Sequence, residues 1–136
     1  MNLRFWFLAT LVMTGSLFIP YVVDRVVRLG LARTFANPTP ANAADQSAWA
    51  MRAKAAHANA IENLVIFAPL ALAAMHIGVG TTALATRAAA VYFFARLAHY
   101  FVYAAGVPVA RTVAFFAGVG AEFALLVAVV KGGCAP

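Results

Sequence analysis

Four apolar runs alternate with short polar interruptions along the 136 residues. The first extends from about Phe5 to Val23, between Arg4 and Asp24, with no charged residue inside it. The others cover about residues 64–79, 83–105 and 110–130. Each is on the order of 20 residues, long enough to cross a bilayer core as a helix at about 1.5 Å per residue. The first run resembles a signal peptide in having Arg4 at its start. However, its apolar length exceeds a signal core and no small-x-small cleavage site follows Val23, so it reads as a span. A loop over about residues 24–51 follows, with Asn37-Pro-Thr-Pro40 and Asn42-Ala-Ala-Asp45 as breakers. Asp45 or Ser47 is placed to cap the next helix. Gly78-Val-Gly80 and Gly106-Val-Pro108 mark tight turns, so spans two, three and four are antiparallel neighbours. The expected fold is an all-α, integral-membrane four-helix bundle forming a single domain over residues 1–136.

Composition strengthens this reading. Hydrophobic residues make up 65% of the chain and the mean hydropathy is +0.88, above the roughly 45–50% of soluble domains. There is no room for a separate soluble catalytic domain, so any chemistry lies among the spans. The net charge of +6 is spread along the chain without a Lys/Arg run. That fits membrane topology and anionic lipid contact, not nucleic-acid binding. Arg25, Arg28, Arg33, Arg52, Lys54 and Arg111 fall on one side, against Arg4, Arg87 and Lys131 on the other. The bias puts the first and third loops in the cytoplasm and both termini outside. Cys134 has no partner for an internal disulfide and reads as a tail residue. The histidines are too scattered to bind a metal.

Chemistry gathers in two stretches. Alanine-rich Arg52–Phe67 has no Gly or Pro and reads as a helix entering lipid. At about 100° per residue, Arg52, Asn59, Asn63 and Ile66 share one stripe, Glu62 sits on its shoulder, and His57 points away. In the third span, Arg96, His99, Tyr100 and Tyr103 sit at offsets that make one helix face. Arg96 lies about 15 Å deep at helical rise, where an arginine needs a carboxylate, a watered cavity or an anion. Glu122 and Glu62 are the candidate partners, with depth slightly favouring Glu122. Arg111 stands in the first turn of the fourth span, where it opposes the helix dipole and offers a planar donor fork.

Together, Arg52-x4-His57-x-Asn59-x2-Glu62-Asn63, Arg96-x2-His99-x3-Tyr103 and Pro108-x2-Arg111-Thr112 form a pattern that covers most of the chain. With the Ile19-Pro-Tyr-Val-Val-Asp-Arg exit, it resembles the membrane-associated proteins in eicosanoid and glutathione metabolism, the MAPEG family, in their bacterial type. The resemblance implies a homotrimer in a bacterial inner membrane, with glutathione as co-substrate between neighbouring subunits toward the cytoplasmic side. It implies glutathione contacts from Arg52, Asn59, Glu62, His99 and Tyr103, and from Arg25 or Arg28 of a neighbouring subunit. It further implies thiolate stabilisation by Arg111, with a hydroxyl from Thr112 or Tyr103. The sequence departs from the family at Phe115, where some members have tyrosine, and at Gly118-Val-Gly120, which carries no polar residue. An eicosanoid substrate is therefore not expected. The implied activity is transfer of glutathione to lipophilic electrophiles or reduction of lipid hydroperoxides. Two alternatives stay open: a non-catalytic protein of the same fold, and a small transporter using Arg96 and Glu122.

Overall fold

The computed structural model describes residues 1–37 and 46–133. The breakers at residues 38–40 and 42–45, with Asp45, and the tail Cys134 lie outside it. Helix α1 covers Leu3–Ser16 and begins where the Asn2 side chain accepts from the Phe5 amide at 3.1 Å. Helix α2, Ile19–Phe35, follows almost end to end, with Pro20 in its first turn where no amide hydrogen is needed. Helix α3 is Ala48–His76, α4 is Ala83–Ala105 and α5 is Pro108–Gly133. Taking α1 and α2 together, there are four helical rods of 33, 29, 23 and 26 residues, each long and apolar enough to cross a membrane. No strand occurs among the described residues.

One boundary differs from the sequence expectation. The segment beyond Asp24, expected as loop, stays helical to Phe35, because no breaker precedes Gly30. Gly30 itself adopts φ 74°, a left-handed conformation that glycine tolerates, and interrupts the helix without ending it. The polar stretch from Arg52 does run into the second apolar run as one continuous helix, α3, roughly 44 Å long at helical rise. Its polar first half is thereby held rigidly to an apolar second half.

Small residues set the packing. Ala53, Ala56, Ala60, Ala71, Ala74, Ala85, Ala88, Ala89 and Ala121 are all buried, which lets the helices approach closely. Between them, Phe67 and Tyr92 stack at 3.9 Å with 6° between their planes. Where α1 gives way to α2, the freed Leu17 carbonyl accepts from the Tyr100 hydroxyl of α4 at 3.0 Å.

The exit of α2 is tied to the start of α3. Asp24 accepts from the Ser47 amide at 3.1 Å and from the Ser47 hydroxyl, and Arg28 lies 3.5 Å from the same carboxylate. Gln46 donates to the Tyr21 carbonyl, and the Tyr21 hydroxyl meets His57 Nδ1 at 2.9 Å. Ser47 does take the N-cap position, but its hydroxyl serves Asp24 and makes no cap hydrogen bond. We expect Asp24→Ala to lower stability by about 1–2 kcal/mol. Amide hydrogen exchange should speed up at Ser47–Ala50 before anywhere in α4. Unchanged exchange there would mean the tie is dispensable.

Candidate functional site

The turn between α4 and α5 builds the site. Gly106, at φ 78°, ends α4, and its amide and that of Val107 close back on Tyr103 and Val102 at 2.9 and 3.0 Å. Pro108 then opens α5 two residues later. This reversal sets Arg111 and Thr112, in the first turns of α5, beside Tyr103 in the last turn of α4. The Arg111 guanidinium lies over the Tyr103 ring, 4.6 Å from its centroid.

Helix α3 supplies the third wall. A recess of about 230 Å³ is lined by Asn59, His99, Tyr103, Arg111, Thr112 and Phe115. An adjoining one of about 170 Å³ is lined by Arg52, Tyr103, Gly106, Val107, Pro108 and Arg111. Tyr103 and Arg111 line both, so the two recesses adjoin at these side chains and together make a groove bordered by two cations. Arg52 is anchored there by Nε donating to the Ala104 carbonyl at 2.9 Å. His99, 3% exposed, packs against Tyr103 and Phe115 with centroids 5.5 and 6.2 Å away.

Behind this wall lies Arg96, 1% exposed. Its Nη2 donates to the Phe115 carbonyl at 2.8 Å and its Nη1 to Asn59 Oδ1 at 3.4 Å. Arginine has no acceptor, so the Asn59 amide must turn its oxygen toward Arg96. That leaves its NH₂ as a donor for a carboxylate or carbonyl in the recess that Asn59 lines. The expected direct pairing of Arg96 with a carboxylate is not what forms. Glu62 is exposed on α3, Glu122 is buried on α5, and neither comes within 4.0 Å of the guanidinium. Thr112 is also committed: its hydroxyl donates to the Pro108 carbonyl at 3.0 Å, which leaves lone pairs for a ligand.

A profile of the MAPEG family matches residues 5–131 of the chain. The chain belongs to the MAPEG family. Searches of curated proteins and of solved structures each gave no match. Of the residues singled out from the sequence, this MAPEG bundle brings Arg52, Asn59, His99, Tyr103, Arg111 and Thr112 to one groove. Glu62, Arg25 and Arg28 do not line it. Arg28 is paired with Asp24, whereas Arg25 forms no ion pair among the described residues. The expected stripe on α3 divides: Asn63 is buried and donates to the Asn59 carbonyl at 2.8 Å, while Ile66 is exposed. No group of three metal-ligating side chains occurs among the described residues.

Two contributions were missed in the sequence. One is the Phe115 main-chain carbonyl, which carries no residue-type signal. The other is Gly118, noted only as lacking a polar group. A Cβ added there would stand 2.1 Å from Arg96 Nη2, so the missing side chain is the space the guanidinium occupies. Its signal was a glycine in the helix facing a buried arginine. We expect Gly118→Ala to push Arg96 off Phe115 and Asn59 and to cost about 1–3 kcal/mol in thermal stability. Arg96→Met in the same chain should recover most of that loss. Equal melting of Gly118→Ala and wild type would show that Arg96 relaxes without losing its bonds.

Proposed function

We propose that this MAPEG protein is a membrane-bound, glutathione-dependent enzyme. It transfers glutathione to lipophilic electrophiles or uses it to reduce lipid hydroperoxides. The observation that carries the reading is the convergence of Arg52, Asn59, His99, Tyr103, Arg111 and Thr112 on one groove. Glutathione has two carboxylates, an ammonium and a thiol, and the groove offers two guanidiniums, an amide donor and two hydroxyls. Glu62, one turn beyond Asn59 and exposed on a single chain, would meet the ammonium once subunits assemble. Arg25, free of the Asp24 pair, is the better of the two first-rod arginines to reach a neighbour's site. A homotrimer in a bacterial inner membrane, with this end of the bundle cytoplasmic, completes the proposal.

In this reading Arg111 and the Tyr103 hydroxyl act on the sulfur. A free thiol has a pKa of about 8.5, and the thiolate is the nucleophile. Charge and donated hydrogen bonds favour the thiolate. The Thr112 hydroxyl, which already donates to Pro108, is left to accept from the thiol. Asn59 and Arg52 hold carboxylates of the peptide. With an electrophilic carbon, a sulfur–carbon bond forms and the leaving group takes the bonding pair. With a hydroperoxide, sulfur attacks oxygen, the O–O bond breaks and the alcohol leaves. A second glutathione then gives the disulfide and water. The apolar partner reaches the groove from lipid.

Calorimetry of glutathione on the purified full chain in detergent tests this. We expect saturable binding in wild type and a loss of about tenfold or more in affinity with Arg52→Ala. Arg111→Ala should still bind but lose the ultraviolet absorbance of bound thiolate. Asn59→Asp keeps an acceptor for Arg96 but turns a second acceptor on the ligand, so it should bind more weakly than wild type. A folded wild type that binds no glutathione overturns the proposal. The family also has non-catalytic members, and binding without thiolate formation in wild type would place this protein with them.

A further inference from the structure

The groove has a second polar layer behind it that the proposed chemistry does not use. Tyr92 and Arg96 stand one turn apart on α4, and Glu122 faces them from α5. They are 0%, 1% and 6% exposed. Each keeps one buried atom without a hydrogen-bond partner: Tyr92 Oη, Arg96 Nε and Glu122 Oε1. These atoms are complementary. Nε only donates, a carboxylate oxygen only accepts, and a phenol does both. Glu122 is too far for a direct ion pair with Arg96, having no contact within 4.0 Å. One water spans about 5 Å between two partners and is stable where two to four polar groups surround it. An arginine this deep also needs a compensating charge, and Glu122 is the buried acid packed on its side of the bundle.

We propose that Glu122 and Tyr92 hold Arg96 through enclosed water, and so fix the Asn59 amide with its NH₂ toward the ligand. They are positioning residues, acting on the groove without touching its contents. The enclosed water is the link that completes the chain of contacts. Glu122 and Tyr92 fix the Nε edge of the guanidinium, and Nη1 and Nη2 fix Asn59 Oδ1 and the Phe115 carbonyl. The Tyr92 ring lies 5.5 Å and the Phe115 ring 5.3 Å from the guanidinium carbon, closing two further sides. Gly118 leaves the space in which the group sits. Loss of the counter-charge would free Arg96 to shift, and the Asn59 amide would lose its preferred orientation. The effect on ligand affinity rests on the glutathione reading above.

Two measurements on the full chain in detergent test the proposal. Glu122→Gln and Tyr92→Phe are each expected to weaken glutathione binding about five- to tenfold, the equivalent of one lost hydrogen bond. The thiolate yield at saturation should not change. In an Asn59→Ala background the same substitutions should have no further effect, because Asn59 is their route to the ligand. Equal losses in both backgrounds, or none in wild type, would overturn the proposal. The second measurement needs no ligand. The infrared difference between wild type and Glu122→Gln should contain an ionised carboxylate band that shifts with Tyr92→Phe and with Arg96→Lys. A protonated Glu122, or a band blind to both substitutions, overturns the counter-charge. Should wild type bind no glutathione while that band behaves as expected, the function proposal falls and the buried network stands.

Discussion

A guanidinium enclosed among apolar helices must find acceptors within reach of its own side chain, and much of this bundle is arranged around that requirement. Arg96 draws on three elements: an amide from α3, a main-chain carbonyl from α5, and aromatic faces from α4 and α5. The contacting surfaces are alanine and glycine for the same reason. Only close approach brings Asn59 and Phe115 within hydrogen-bonding distance of a side chain on α4. Burying this charge is therefore not an isolated cost. It couples the three helices that form the groove.

The groove itself follows from where the chain reverses. A left-handed glycine and a proline two residues later turn α4 into α5 with no spare loop, so the last turn of one and the first turn of the other become neighbours. Arg111 over Tyr103 is the direct product. Because α3 runs unbroken from its polar start into the apolar core, Arg52 and Asn59 reach this corner from a rigid support. The tie from Asp24 and Tyr21 to Ser47 and His57 then settles how α3 enters the bundle. Polar chemistry thus collects at one end, and the opposite end is filled by Leu3, Phe7, Phe67, Ala74 and Leu125. A water-soluble peptide and a lipid-soluble partner would meet at such a boundary.

The MAPEG assignment and the groove are observations of different kinds. The family match rests on the whole chain, residues 5–131. The groove rests on six side chains that come together only when α3, α4 and α5 pack. Arg96, Gly118 and Glu122 line neither recess and stand behind the groove wall.

The fold was legible in the sequence because lipid imposes a length rule. A run of about 20 apolar residues must be a helix that satisfies its own main chain, and Gly78 and Gly106 mark the reversals. Helical periodicity also placed Arg96, His99 and Tyr103 on one face, since spacing along a single helix needs no partner. What spacing could not give was the identity of partners across helices. Arg96 was expected to meet Glu122 or Glu62, and it bonds to an amide and a carbonyl, because distance between helices depends on which alanines and glycines face each other. Asp45 or Ser47 was expected to cap α3, and Ser47 takes the N-cap position but its hydroxyl serves Asp24, which lies 23 residues earlier. The sequence by itself determined the helices and the side chains each one offers. The tertiary structure decided which of those side chains meet, because side-chain hydrogen bonds are short and are set by the fit between packed surfaces.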